Sequence, residues 1–507
     1  MPEYRNLLAL YDCRSKQEYI YRTNRVKEIT GASLLLTDLF KEFFDKTEEF
    51  DICTEWKKQT APENFLEYFN QSGKDAEIIY EGGGNLCMIY KDEETYIRVN
   101  RALSKHVIKK TFSVSIIASA VPVTGDFLED RKNLYQQNAI RKNTGAYFVP
   151  CNVLPFTQVD RLTYQPIVKK REDKQYTSES WAKLKKYENK YGKEKVTMFD
   201  EMTDKGNDSI LAIIYIDGNN MGKKVKNITE GKHDYSEGIN ALREFSKKTH
   251  ADFVENPITA IKEKLDELCQ ACGNDTEKQR QYQFRQIIAG GDEITIVCSA
   301  RAVVEILNTY FETLTSVKAE KDEDKNSACA GVALFHSHAP FADVYRIAEA
   351  CCESGKELSH LEGNEDKNYI DFHFCHAGIM NDMETIRKQQ EGDFTARPYE
   401  FSESWQKFLE YGRILSQTKR SNVKDLGEAI AKGERFYDEN GKIIKAGDSY
   451  YREELERIKS RDSRDKKNLC EAIYSNPEDE EKKKMIFDIS VIFDLWFSGK
   501  EMKHEQT

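Results

Sequence analysis

The residues best suited to chemistry lie in one short stretch, Arg285–Ala300, which reads RQIIAGGDEITIVCSA. An apolar run, Ile287-Ile288-Ala289, enters the turn Gly290-Gly291-Asp292-Glu293, and a second run, Ile294–Val297, leaves it. β-Branched residues on both sides of glycines predict a β-hairpin. The two glycines let the chain turn tightly and leave room for a phosphate. Two adjacent carboxylates at a hairpin tip repel each other unless a cation sits there. The stretch therefore reads as a metal-bound phosphate site. The competing reading is an ordinary solvated turn, since Gly, Asp and Glu are all turn residues.

A third carboxylate is available to join the pair. Ile210–Ile216 is a continuous apolar run, the mark of a buried strand, and it ends in Asp217-Gly218-Asn219-Asn220-Met221-Gly222. With that strand beside the hairpin, Asp217 faces Asp292 and Glu293. Three converging carboxylates suit Mg²⁺ or Mn²⁺, which prefer oxygen ligands. Two such ions, about 3.5–4 Å apart, activate an attacking hydroxyl and steady a leaving pyrophosphate. Gly290 and Gly291 then offer amide N–H groups to the phosphates. Lys356 either reaches a triphosphate or is a plain helix-end lysine. Met221 and Gly222 are expected to allow tight packing under a nucleotide.

The elements that must position these groups occur twice in one order. In the first copy, Leu7–Tyr11 is a strand ending at Asp12, and a long helix spans about Asn24–Phe44 with Gly31-Ala32-Ser33 inside it. Small residues there permit close packing or a bound group. A strand at Ile78–Tyr80 follows, then Gly82-Gly83-Gly84-Asn85, a strand at Leu86–Tyr90, a helix over about Glu93–Lys109 and a strand over Phe112–Ala120. The second copy runs from Ile210–Ile216 through helical patterns over Ser236–Cys269 to the hairpin strands near Phe284–Ala289 and Ile294–Ser299. It continues with a helix at Ala302–Leu314, a strand at Cys329–Phe335, a helix at Phe341–Ser354 and a strand at Tyr369–Phe374. Both copies have an aspartate at the end of the first strand, Asp12 and Asp217. Where the second has Asp292-Glu293, the first has Gly84-Asn85. The first copy thus keeps glycine backbone but lacks acid, which suits binding or docking rather than chemistry.

Residues 151–207 read as a polar connector with a helix near Ser180–Asn189, and the remainder divides into 1–150, 208–390 and 391–507. Beyond Ser402, helical patterns at Trp405–Leu415, Val423–Phe436, Tyr451–Lys459 and Met485–Phe497 predict a small bundle, with a turn at Asp438–Gly441 and with Trp496 and Phe497 in its core. The fold class is α+β.

Composition narrows the classes. The chain has 507 residues, 32% charged and 39% hydrophobic, with no apolar leader after Met1. Its longest apolar segment, Phe112–Val123, is shorter than the roughly 20 residues of a bilayer span. Twelve cysteines without framework spacing suit reduced thiols, so a cytoplasmic setting is expected. Cys269–Cys272 is a lone CxxC, too little for a zinc ribbon. Cys375-His376 reads as a core cysteine beside a surface histidine. A net charge of −11 argues against wrapping nucleic acid by charge alone, and basic runs such as Lys169–Arg171 and Lys223-Lys224 are more often solvated faces.

The segments IIYIDGNNMGKKV, IIAGGDEITIV and GVALFHSHAPFADVYRIAEACCESGKE resemble the second palm domain of the large subunit of type III CRISPR effector complexes. NRVKEITGASLLLTDLF and EIIYEGGGNLCMIY resemble that subunit's first, non-catalytic palm, and TARPYEFSESWQKFLEYGRIL the start of its helical end domain. The resemblance implies two ferredoxin-like, nucleotide-cyclase-like palm domains and a C-terminal helical domain. It implies synthesis of cyclic oligoadenylate messengers from ATP, with the nucleotide between the palms. Asp217, Gly218, Asp292 and Glu293 would hold two Mg²⁺ or Mn²⁺ ions. Gly218, Asn219, Asn220, Gly290, Gly291 and Lys356 would contact nucleotide, as would Ser33, Gly82, Gly83, Gly84 and Asn85 from the first palm. ATP or other nucleotide triphosphates, other CRISPR effector subunits, guide RNA and a second copy of the chain are the partners implied, and no membrane.

Three departures stand out. The family's usual pair of aspartates after two glycines is Asp292-Glu293 here, and Asn219 stands where many members carry another aspartate. Larger members begin with a histidine–aspartate nuclease domain, whereas this sequence starts on the first palm. His233-Asp234 is its only such dipeptide and reads as a chance pair, so DNA cleavage is not expected. Two alternatives stay open. A diguanylate cyclase shares the GGDE string, but Val225 occupies its guanine-reading position and Gln281–Phe284 its product-binding motif. The other is a non-catalytic nucleotide-binding scaffold of a defence complex.

Overall fold

The computed structural model describes residues 5–23, 25–82, 84–144, 156–161, 163–192, 202, 209–317, 325–337, 339–375, 383–390, 392–433, 447–461, 473, 475–477 and 479–497. Its first unit comprises β1 (Leu7–Cys13), α1 (Lys16–Tyr21), α2 (Val26–Thr37), α3 (Leu39–Phe44), β2 (Ile52–Cys53), α4 (Phe65–Gln71), β3 (Ala76–Gly82), β4 (Asn85–Tyr90), α5 (Glu93–Thr111), β5 (Ile116–Pro122) and α6 (Phe127–Thr144). The sheet order is β2-β3-β4-β1-β5. Next come the hairpin β6 (Ile167–Arg171) and β7 (Lys174–Thr177), and α7 (Ser178–Tyr191). The second unit comprises β8 (Ile210–Gly218), α8 (Met221–Thr229), α9 (Tyr235–His250), α10 (Asn256–Ala271), α11 (Thr276–Arg280), β9 (Phe284–Gly290), β10 (Glu293–Ser299), α12 (Val303–Ser316), β11 (Ala328–His336), α13 (Phe341–Ser359), β12 (Tyr369–Cys375), α14 (Met383–Gln390) and β13 (Tyr399–Glu400). Its order is β13-β12-β11-β8-β10-β9. With the two-residue β2 at the edge of the first sheet set aside, the first strand of each unit lies between its third and its fourth (β1 between β4 and β5, β8 between β10 and β11), the ferredoxin-like arrangement.

The doubled plan holds, with local differences that have physical causes. The long helix expected from Asn24 is two helices divided at Asp38, and Asn24 lies outside the described residues. The strand expected from Phe112 begins at Ile116, because Phe112 takes a left-handed conformation (φ 67°) that ends α5. At its other end α5 is fixed by Asp92, whose carboxylate accepts from the Thr95 N–H at 2.8 Å. The helical run after β8 is nearly continuous: α9 passes through a π-helical turn, Ala251–Glu255, into α10. Within the connector, α7 packs on α2. A Cβ at Gly31 would stand 1.9 Å from the Lys183 carbonyl oxygen, so that glycine serves close packing. Lys183 is itself fully buried against Glu179 at 2.5 Å.

The two sheets are joined through α9. The buried Arg243 guanidinium donates to the Glu77 carboxylate and to the carbonyls of Ile78 and Ile79, each at 2.9 Å. On the other side of the seam, Tyr21 of α1 stacks on Tyr345 of α13 with ring centroids 4.0 Å apart. Burial of large side chains such as these contributes roughly 1.5–3 kcal/mol each. His233 and Asp234 also belong to this joint. His233 Nδ1 pairs with Asp126 at 2.8 Å, and Asp234 caps α9.

The C-terminal helices are α15 (Ser404–Leu415), α16 (Arg420–Gly433), α17 (Gly447–Arg461) and a last helix, Glu480–Trp496. Trp496 and Phe497 are buried, as expected, in a core shared with the second sheet. The Trp496 indole donates to the Ala300 carbonyl at 3.0 Å, so the bundle is locked to that sheet. The end of the helix expected over Val423–Phe436, the turn at Asp438–Gly441 and His376 lie outside the described residues; Cys375 is buried. Among the described residues no helix is long and apolar enough to cross a membrane.

Candidate active site

β8 is the central strand, hydrogen-bonded to β10 on one side and β11 on the other. Ile216 pairs with Ile294, so Asp217 and Glu293 flank the next rung at the mouth of the sheet. Gly291 makes the turn with φ +65°, which favours glycine. Gly218 is required by crowding instead. A Cβ there would lie 2.9 Å from Asp292 Oδ2 and 3.1 Å from the Phe253 ring, so only glycine lets the Asp292 carboxylate fold back onto the end of β8. Gly290 has open space around it, which leaves its backbone accessible. Gly222 also faces open space, and the tight packing expected there is not found, because little of α8 is buried.

The electrostatics are those of crowded acids. Burial, with the charge of Asp217, pushes the Asp292 carboxyl up to about 6 and that of Glu293 up to about 7. Lys356, near the end of α13, makes an ion pair with Asp217. Burial opposes its charge, yet Asp217 holds the ammonium above its ordinary value. Glu349 lies two helical turns before Lys356 on α13, and its carboxyl is raised by burial, by Glu353 and by Asp217. From the first unit, Lys16 approaches both turns. Its side chain fills the space beside Gly84, and its charge counters the rise at Glu293.

Asn219 and Asn220 are placed otherwise. Asn219 is buried, and its amide donates to the Lys367 carbonyl at 3.1 Å, away from the mouth. Asn220 adopts a left-handed conformation before α8, and its amide approaches the Glu365 carbonyl at 3.5 Å. Both fasten the turn after β8 to the loop before β12. Lys16, Tyr21 and Glu349 escaped the sequence reading. A lysine three residues beyond the first strand and the α13 stripe Tyr345–Glu349–Lys356 were the available signals.

The oxygen-only donor set of Asp217, Asp292 and Glu293 fits Mg²⁺ or Mn²⁺. A buried Glu293 oxygen, Oε1, has no hydrogen-bond partner, so the protein alone does not satisfy this carboxylate. Among the described residues, however, no three His, Cys, Asp or Glu side chains form a closed metal cage. That is compatible with Mg²⁺, which is usually held by one or two carboxylates plus substrate phosphates.

The first unit presents the same frame without the acids. Asp12 pairs in register with Asn85 of β4. It is covered by Lys142 of α6, which makes an ion pair with it, and by the Asn138 amide at 3.5 Å. Lys142 follows the strand end Pro122 at the same spacing as Lys356 follows the strand end His336. Gly82 lies against Ser246 of α9, and Asn85 Oδ1 is buried without a partner. Gly83 lies outside the described residues. Ser33 is partly buried on α2, a helix that also packs against β9.

Residues 210–368 match the family described as Cas10/Cmr2, second palm domain. No curated protein matches the chain. Among solved structures, the apo Csm1–Csm4 cassette superimposes with a TM-score of 0.55 at 14% identity, over 97% of this chain and 70% of the other. The cassette in complex with cA4 gives 0.54 at 14% identity with the same coverage. Csm1 from T. onnurineus gives 0.52 at 13% identity, over 96% and 69%. At such identities the likeness establishes the fold, and the family match covers the unit that bears the acids. Residues 210–368 are thus similar to a Cas10/Cmr2 second palm domain, and the chain as a whole shares the fold of the solved Csm1 structures.

Proposed function

We propose that the chain is a metal-dependent nucleotidyltransferase that joins ATP into cyclic oligoadenylate in a CRISPR-type defence system. The observation that carries this reading is the meeting of Asp217, Asp292, Glu293 and Lys356 at one mouth of the second palm. The solved relatives in complex with cA4 and with pppApApA add support at the level of fold. In the reaction, a ribose hydroxyl oxygen of one nucleotide attacks the α-phosphorus of the next and pyrophosphate leaves. Bound divalent ions would neutralise the phosphates and lower the cost of the developing charge.

The chain's own groups do the rest. Asp217, Asp292, Glu293 and the Gly218 backbone are the oxygen donors. The accessible turn at Gly290-Gly291 offers N–H groups to the phosphates, and Lys356 exchanges Asp217 for a triphosphate oxygen. Lys16 brings a positive charge from the first palm to the same mouth, so the triphosphate is enclosed from both sides. ATP, other effector subunits and guide RNA are the partners proposed; the cytoplasm is the compartment.

The test is to incubate the protein with each nucleotide triphosphate and Mn²⁺, with and without target RNA, and resolve the products by mass. A cyclic adenylate bears out the proposal. A guanylate dimer would indicate the diguanylate cyclase reading, against which Val225 packs towards the Phe127–Tyr235 cluster rather than the mouth. No product under any condition would favour a nucleotide-binding scaffold, for which the lack of a closed cage among the described residues is the supporting observation.

A further inference from the structure

Four side-chain oxygens with no hydrogen-bond partner are buried at one place on the seam between the palms: Glu293 Oε1, Thr295 Oγ1, Tyr21 Oη and Tyr345 Oη. Backbone register and ring geometry bring them together. Glu293 and Thr295 are two apart on β10 and share a face of the sheet. Thr295 is paired across the ladder with Tyr215. The Tyr215 ring meets Tyr345 edge-on with centroids 5.6 Å apart, and Tyr345 stacks on Tyr21 at 4.0 Å. The Tyr21 hydroxyl lies towards Thr295 and that of Tyr345 towards Gln17, neither at hydrogen-bonding geometry. Buried polar atoms of native proteins are satisfied, if not by protein then by ordered water, and water needs several polar partners close together. Three hydroxyls and a carboxylate oxygen supply them.

We propose that Tyr21 of the first palm and Tyr345 of α13 are positioning residues for Glu293. Their hydroxyls, with that of Thr295, hold Glu293 Oε1 through shared water and leave Oε2 for the cation. The longer arm of glutamate then has a purpose. Its carboxylate spans the distance from the mouth of the sheet to the tyrosine seam, and an aspartate at the same position would be one methylene shorter. The first palm, which brings no acid, thereby sets the geometry of one in the second. This rests on the metal site proposed above.

The test is a titration of Mn²⁺, followed by electron paramagnetic resonance, into the full chain with a non-hydrolysable ATP analogue. Tyr21→Phe keeps the stacked ring and removes only the hydroxyl. It is expected to weaken Mn²⁺ about tenfold, the lower end for loss of a group supporting a metal ligand, with little change in Tm. Tyr345→Phe is expected to act likewise. Glu293→Asp, too short to reach the hydroxyls, is expected to weaken Mn²⁺ and to make Tyr21→Phe without further effect. Equal Mn²⁺ affinity in the unaltered protein and in Tyr21→Phe would overturn this inference alone. No Mn²⁺ binding by the unaltered protein would overturn the proposed metal site and this inference with it.

Discussion

The two palms place an aspartate at the same point of the same fold and treat it oppositely. Asp12 ends β1, is covered by Lys142 and Asn138, and faces the neutral Asn85. Asp217 ends β8 and has Lys356 beside it, but it faces Asp292 and Glu293, whose carboxyls are raised by its charge. One lysine satisfies a single carboxylate; Lys356, even with Lys16 approaching from the first palm, does not neutralise three. The first palm is thus electrostatically closed, while the second keeps an unmet demand for positive charge. The difference lies in two residues at the hairpin tip, not in the architecture that carries them.

That contrast breaks most plainly at Asp292. Asp292→Ala is expected to lower product formation by about a hundredfold to a thousandfold with folding intact, by analogy with loss of transition-state charge stabilisation. The matching change in the first palm, Asp12→Ala, is expected to leave the rate within a few fold; a similar loss in both would show that the palms are not divided as described. The joint between the palms comes next. Arg243→Ala leaves Glu77 buried and unpaired, and is expected to cost about 3–5 kcal/mol in a denaturant titration. A cost below about 1 kcal/mol would mean that the seam does not depend on it.

Lys356→Ala is expected to raise the KM for ATP about tenfold and to leave Asp217 available, whereas Lys142→Ala is expected to change KM little; initial-rate kinetics on the two variants make the comparison. The smallest effect is on pH. Asp292 and Glu293 have folded values raised above those of an unfolded chain, to about 6 and about 7. The fold binds their protons more tightly than the unfolded chain does, so their contribution to stability is lost as pH rises from about 4 to about 7. Divalent ions compete with those protons, so the rise in Tm on adding Mn²⁺ is expected to grow between pH 6 and pH 8. The same shift at every pH would contradict the assignment of these carboxylates.

Much of this was legible in the chain because it is local. The Gly290–Glu293 hairpin, the strand ending at Asp217 and the repeated order of elements each declare themselves within a few residues. Other features depend on distant partners. Nothing near Tyr21 in sequence shows that its ring will stack on Tyr345, and α1 is too short to carry a periodic pattern. Phe112 looked like the start of a strand because its apolar neighbours match one, but its backbone turns left-handed to end α5. The resemblance implies a nucleotide contact for Asn219. The residue lies just beyond β8, and its amide instead donates to the carbonyl of Lys367, 148 residues on in sequence. The helix expected near Ser180–Asn189 is α7, but its packing on α2 has no local mark, because that tie runs through a glycine and a buried lysine rather than an apolar stripe.

The central claim is that divalent ions gather in one palm and not in the other. Anomalous diffraction from crystals soaked in Mn²⁺ and a non-hydrolysable ATP analogue tests it directly. Peaks are expected beside Asp217, Asp292 and Glu293, with Lys356 moved onto phosphate, and none beside Asp12. A peak at Asp12, or Lys356 still paired with Asp217 and no metal at the mouth of the second palm, would contradict it.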